Sequence, residues 1–136
     1  MTDMTMADNY TPGIFINCSS LPFIDWILSG KKPCETRTRD MLRSLIGRRV
    51  LLIETGHGRK IVRGSAIVGE PIVVRSREQW EDLRHMHAIS SGSAYDWKPD
   101  TKVKYCYPML NVQPCAPFSP KEGIRHGRVW MECPNA

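Results

Sequence analysis

With 136 residues, 41% of them hydrophobic and 24% charged, the chain has the length of one domain and the composition of an ordinary globule. No apolar run approaches the ~20 residues of a membrane span, and the opening MTDMTMADNY lacks the basic and apolar regions of a secretory signal. A net charge of +5 favours anionic partners without by itself demanding nucleic acid.

Residues 1–11 read as a flexible polar tail and residues 12–136 as a single domain without internal repeats. The five cysteines (Cys18, Cys34, Cys106, Cys115, Cys133) are widely spaced and include no Cys-x-x-Cys pair. Zinc sites need closely spaced ligand pairs, so no metal site is read. Reduced thiols suit a cytoplasmic protein. No cofactor motif is present.

In chain order, GIFINC (13–18) carries the β-branched and aromatic residues of a strand. Ser19 or Ser20 is placed to cap a helix with Pro22 in its first turn. Phe23, Ile24, Ile27 and Leu28 recur at helical spacing, with Trp26 on the flank, and Gly30 is a C-terminal stop. CETRTR (34–39) alternates in period two, which puts Glu35, Arg37 and Arg39 on one face and Cys34, Thr36 and Thr38 on the other. Residues 41–46 suggest a short helical turn before Gly47. RRVLLIET (48–55) is a buried strand, GHGR (56–59) a hairpin turn, and residues 60–74 one long strand or two, broken at Gly64 and at Gly69 to Pro71. Ser76 and Gln79 form a capping box for a helix reaching about Ile89, with Trp80, Leu83 and His87 on one side. Residues 90–102 form a polar loop. Residues 104–118 form a strand that Pro108 confines to an edge or a bend, residues 119–127 a turn region, and residues 128–133 a closing strand. Strand, hairpin and glycine-interrupted strand together indicate a small closed or nearly closed barrel.

The most informative stretch is ILSGKKPCETR (27–37). It ends a helix, places two lysines at a tight turn, and continues into a polar strand. Seven cations lie between Lys31 and Arg49 (Lys31, Lys32, Arg37, Arg39, Arg43, Arg48, Arg49), against Glu35 and Asp40. Like charges two apart on one strand face repel unless a carboxylate or an anion sits among them, and Glu35 is suited to that part. The pattern points to a site for a polar, phosphate-bearing ligand.

This string, with Gly30, Lys31, Lys32, Glu35 and Arg37 in order and register, closely resembles the signature of ASCH (activating-signal-cointegrator homology) domains of the PUA-like superfamily. Pro33 replaces the small residue usual after the lysines. The aromatic strand, proline-punctuated turn and Trp strand near the C-terminus look like that family's closing segment, so the resemblance spans roughly residues 14–132. It implies an α+β, mainly β fold: a five- or six-stranded mixed barrel with flanking helices and a cleft floored by the Gly-Lys-Lys loop. It also implies RNA or a nucleotide-like molecule as partner, although some members are amidohydrolases acting on acylated cytidine derivatives and some have nuclease activity. A shared fold does not choose between these.

Lys31, Lys32, Arg37 and Arg39 are suited to neutralising phosphates. Glu35 is suited to accepting from an exocyclic amine of a base, and Tyr107, Tyr105, Trp97 and Trp130 are available for stacking. The ligand-binding set expected is therefore Lys31, Lys32, Glu35, Arg37, Arg39 and Tyr107. In the alternative reading, a hydrolase of modified nucleosides, Lys32 and Glu35 are the catalytic groups. Glu35 stands where the amidohydrolase relatives carry their threonine nucleophile, and Thr36 faces the other side of the strand, so Glu35 is read as a general base activating water. A further alternative is a protein-interaction adaptor. His85 and His87, two apart on a helix, cannot face one ligand, but either is placed to reach the cleft rim. Arg125, His126 and Arg128 extend the basic surface.

Overall fold

The structure is a computed structural model that describes residues 9–135. Residues 1–8 of the expected tail lie outside the described residues, while Tyr10 and Thr11 already pair in the first strand. The elements are β1 (Tyr10–Asn17), α1 (Phe23–Ser29), β2 (Cys34–Arg37), a 3-10 turn (Arg43–Leu45), β3 (Arg49–Thr55), β4 (Ile61–Val68), β5 (Ile72–Val74), α2 (Arg77–Asp82), α3 (Arg84–His87), β6 (Lys104–Phe118), β7 (Ile124–His126) and β8 (Trp130–Pro134).

All eight strands join one curled sheet in the order β2-β6-β4-β3-β1-β8-β7, with β5 also pairing on β6. β1 and β3 run parallel and every other pairing is antiparallel, so the sheet is mixed. The fold is α+β and mainly β, a half-barrel with three short helices among the described residues. The five or six strands implied by the resemblance become eight, because β5 and β7, three residues each, are strands in their own right.

The curl follows from bulges. β4 shifts register against β6 on both sides of Gly64–Ser65. A Cβ on Gly64 would lie 2.6 Å from the Gln113 carbonyl oxygen and 2.8 Å from Leu28, so only glycine lets β6 and α1 approach this closely. β6 passes between β2 and β5 in its first half and continues along β4 in its second. Pro108 therefore sits inside the sheet rather than at an edge. Its carbonyl accepts from Gly69 N–H at 2.8 Å, so the N–H that proline lacks would face the break between β4 and β5, where no strand awaits a donor.

Three apolar clusters result, one of them formed by Phe15, Ile53, Val62, Met131 and Cys133 among β1, β3, β4 and β8. Inside the curl, α1 inserts Phe23, Ile24 and Ile27 against Ile14, Ile16, Leu52 and Tyr107. On the other face of β2, β5 and β6, Trp80, Ile89 and Trp97 cover Cys34, Val74 and Cys106. α1 ends as expected, with Gly30 left-handed at φ 85. Its N-terminus does not take the expected serine cap: Pro22 occupies that position, no side chain caps it, and the Ser19 N–H is engaged by Asn17 Oδ1. The helix expected from Ser76 to about Ile89 is divided at Leu83 into α2 and α3. Ser76 does cap, accepting from Gln79 N–H at 3.1 Å. Among the described residues no helix is long and apolar enough to cross a membrane.

Candidate functional site

The β1–β8 ladder runs through Ile14 and is extended by Phe15 N–H donating to the Val129 carbonyl at 3.0 Å, so beyond Phe15 β1 presents an open edge toward β2 across the mouth of the curl. A cavity of about 370 Å³ fills that gap. Lys32, Glu35 and Arg37 line it on one side, Ile16 and Asn17 of β1 on another, and Phe23 and Tyr95 close the helical end.

Lys32 lies between α1 and β2 and is 1% exposed. Its Nζ donates to the His87 carbonyl at 2.6 Å and sits 4.9 Å from the Phe23 ring centroid. That carbonyl belongs to the last turn of α3, whose final C=O groups have no helical partner. Burial lowers the proton affinity of Lys32 below that of a free lysine, and the nearby Glu35 charge pulls the other way. No carboxylate is within ion-pairing distance of its ammonium among the described residues. The cation is therefore buried between one carbonyl and one aromatic face at the cavity, close to Glu35 and to the Cys34 and Cys106 thiols but ion-paired with none of them.

Glu35, 7% exposed, is held by its neighbour on the same strand face. Arg37 Nε and Nη2 lie 3.2 and 3.1 Å from Glu35 Oε2. Arg37 Nη2 also donates to the Phe15 carbonyl at 2.9 Å, and this closes the seam between β2 and β1. The period-two reading of the strand holds for Glu35 and Arg37, which turn toward the mouth, and for Cys34, which turns into the Trp80 layer, but Thr36, expected on the other face, also lines the cavity. Burial pushes the Cys34 and Cys106 thiols up to about 11 and about 12, so neither is a nucleophile near neutral pH.

Of the residues expected to bind ligand, the structure brings Lys32, Glu35 and Arg37 to one cavity and places Lys31, Arg39 and Tyr107 elsewhere. Lys31 is exposed and lies 4.0 Å over the Trp26 ring. Arg39 is exposed beyond the end of β2, because the strand stops at Arg37 and the alternation stops with it. Tyr107 is fully buried; its hydroxyl donates to Asp40 and accepts from Leu42 N–H at 3.3 Å, which leaves no face for stacking on a base. Trp97 is also buried, and Trp130 stacks on His126.

Neither helical histidine brings its ring to the cavity. His87 is wholly buried and stacked on Trp80 at 3.7 Å. Its Nδ1 accepts from Ile89 N–H at 3.0 Å, so Nε2 carries the proton and donates to the Trp80 carbonyl at 3.0 Å. Burial holds its pKa down to about 4. Its contribution to the site is its backbone carbonyl, which no local sequence pattern reveals.

The loop carrying Tyr95 is pinned by its neighbour. Burial pushes Asp96 up, but the Gly92 N–H, Trp80 Nε1–H and Arg84 outweigh it and hold the carboxyl well below the usual range. Tyr95 meets Phe23 edge-on at 5.3 Å. Tyr95, Asn17 and Phe23 also line the cavity, and no motif marks them, since they lie in a polar loop, at a strand end and on a core helix. Among the described residues no group of His, Cys, Asp and Glu side chains is placed to hold a metal ion.

No protein-family model matches the chain, and no curated protein matches it. Solved structures do. The ASCH protein of Zymomonas mobilis superposes with a TM-score of 0.62 at 21% identity, covering 79% of this chain and 73% of that one. A serine-to-alanine mutant of it gives 0.64 at 23% identity over 79% and 73%, and a tyrosine-to-phenylalanine mutant 0.64 at 23% over 79% and 75%. The chain has the ASCH fold.

Proposed function

We propose, taking that fold as premise, that the chain is an ASCH domain that binds one nucleoside- or nucleotide-like unit in the Lys32–Glu35–Arg37 cavity. The observation that carries this reading is Lys32: a cation 1% exposed, facing a cavity of about 370 Å³, with Glu35 nearby but ion-paired to Arg37 rather than to it. A buried charge with no directly paired counter-charge costs stability, and a buried ionisable group lining a cleft is a functional-site candidate. The volume falls at the lower end of the ~300–1,000 Å³ range of small-molecule sites, which supports a single ligand unit over a strand lying in an open groove. Lys32 takes an anionic or carbonyl oxygen, Glu35 accepts from an exocyclic amine, and Arg37 fixes Glu35.

A second reading, hydrolysis of an acylated nucleoside, is favoured by one feature. Lys32 and Glu35 face the same cavity but are held apart, one by the His87 carbonyl and the other by Arg37. In this reading Glu35 takes the proton of a water attacking the amide carbonyl. Lys32 stabilises the oxyanion, and the proton passes to the departing amine.

Calorimetric titration with ribonucleosides, together with a turnover assay on acylated cytidine, tests both readings. Binding that weakens in Lys32→Met supports the first, and turnover abolished in a folded Glu35→Gln supports the second. Full affinity in Lys32→Met would overturn the assignment of the cavity.

A further inference from the structure

The cavity does not end at its rim. Phe15, Thr55 and Arg128 line it and also line a second concavity of about 250 Å³, which Lys60 and Arg125 complete. Three of the five residues lining this extension are cations and none is a carboxylate. Arg128 is exposed and has no carboxylate partner among the described residues. Lys60 and Arg125 share one partner, Glu122, at 3.6 and 3.3 Å. Glu122 is 60% exposed in its side chain, and exposed pairs of this kind are weak and readily exchanged. Arg125 also lies over the Phe15 ring, 5.5 Å from its centroid, which holds its guanidinium at the concavity.

A ligand seated against Lys32 and Glu35 that extends past Phe15 and Thr55 thus emerges among three cations that, among the described residues, have only Glu122 as an ion-pair partner. A neutral nucleoside leaves these charges unused. We infer that the ligand carries a phosphate on its ribose, and that Lys60, Arg125 and Arg128 form the subsite that receives it. This rests on the nucleoside reading of the cavity and narrows it to phosphorylated ligands, whether the phosphate is a terminal monoester or the diester of a strand. Arginine suits this task because its planar fork engages two phosphate oxygens at once.

The test is calorimetry with three probes: the four ribonucleosides, their 5′-monophosphates, and the dinucleoside monophosphates. The subsite predicts that the monophosphate binds about tenfold or more tightly than its nucleoside, as one charge-assisted contact contributes. That advantage shrinks as salt rises and collapses in an Arg125→Ala, Arg128→Ala double variant, whose exposed sites leave folding intact. A dinucleoside monophosphate exceeding the monophosphate assigns the phosphate to a strand, and the reverse assigns it to a mononucleotide. Equal affinity of nucleoside and monophosphate, or a ratio unchanged in the double variant, overturns the subsite and leaves the cavity reading standing. Failure of all three probes to bind overturns both.

Discussion

Replacing Lys32 by methionine separates the energy of the fold from the energy of the site. Methionine keeps most of the volume of the lysine stem and can rest its sulfur on the Phe23 ring, 4.9 Å from the present ammonium. Two opposing terms decide stability. Losing the ammonium leaves the His87 carbonyl without its 2.6 Å donor, a loss of roughly 1–3 kcal/mol for a buried acceptor. Removing a cation that is 1% exposed relieves a desolvation penalty of about several kcal/mol. Loss of the attraction to the nearby Glu35 offsets part of that relief, so Lys32→Met should stay within about 2 kcal/mol of the parent in stability. At this chain length each kcal/mol moves the melting midpoint by roughly 3–4 °C, and thermal unfolding by circular dichroism reads it. Ligand binding should move the other way: loss of a charge-assisted contact of about 1.5–3 kcal/mol weakens nucleotide affinity roughly ten- to hundredfold. A variant that melts well below the parent yet binds as tightly would show that Lys32 is a structural strut for α3, and would refute the reasoning.

Three further outcomes follow from the same geometry. Glu35→Gln keeps the shape of the cavity but loses the ion pair with Arg37; the loss should be about 1–3 kcal/mol in urea unfolding, and any hydrolysis of acylated cytidine should fall at least a hundredfold. His87, held at about 4 in the fold and at about 6.5 in the unfolded chain, makes the unfolded state the better proton acceptor between those values. Stability should therefore be full above pH 6.5 and fall, by an amount on the order of 3 kcal/mol, as pH drops toward 4; Trp80 fluorescence against pH reads this, and a flat profile in that window contradicts it. Tyr107→Phe removes the bonds to Asp40 and Leu42, which should lower stability by about 1–2 kcal/mol while nucleotide affinity stays as it was, checked by calorimetry.

Much of the site's inner wall was legible because it is local. The helix spacing of Phe23, Ile24 and Ile27, the glycine stop and the alternation of Glu35 with Arg37 each depend on residues a few positions apart. The rest depends on contacts far apart in sequence. Tyr107 reads as an aromatic on a polar-edged strand, but β6 runs through the interior, and its hydroxyl is spent on Asp40, 67 residues away. The prolines of β6 argued against an interior strand; the matching break at Gly69 to Pro71 in its neighbour removes the objection, and no single segment discloses that match. Arg39 shares a face with Arg37 only if the strand continues, and it ends at Arg37. The His87 carbonyl, 55 residues from Lys32, has no sequence signature, since every residue carries a carbonyl. The cationic extension was visible only as a basic cluster at Arg125, His126 and Arg128; its continuity with the cavity comes from β8 pairing onto β1.

A crystal structure of the chain with a nucleoside 5′-monophosphate bound puts the buried ammonium to the most direct test. The cavity geometry predicts a ligand oxygen or carbonyl within hydrogen-bond distance of Lys32 Nζ, the base edge at Glu35, and the phosphate between Arg125 and Arg128. A nucleotide held only by exposed cations such as Lys31 or Arg39, with nothing between Lys32 and Glu35, would contradict it.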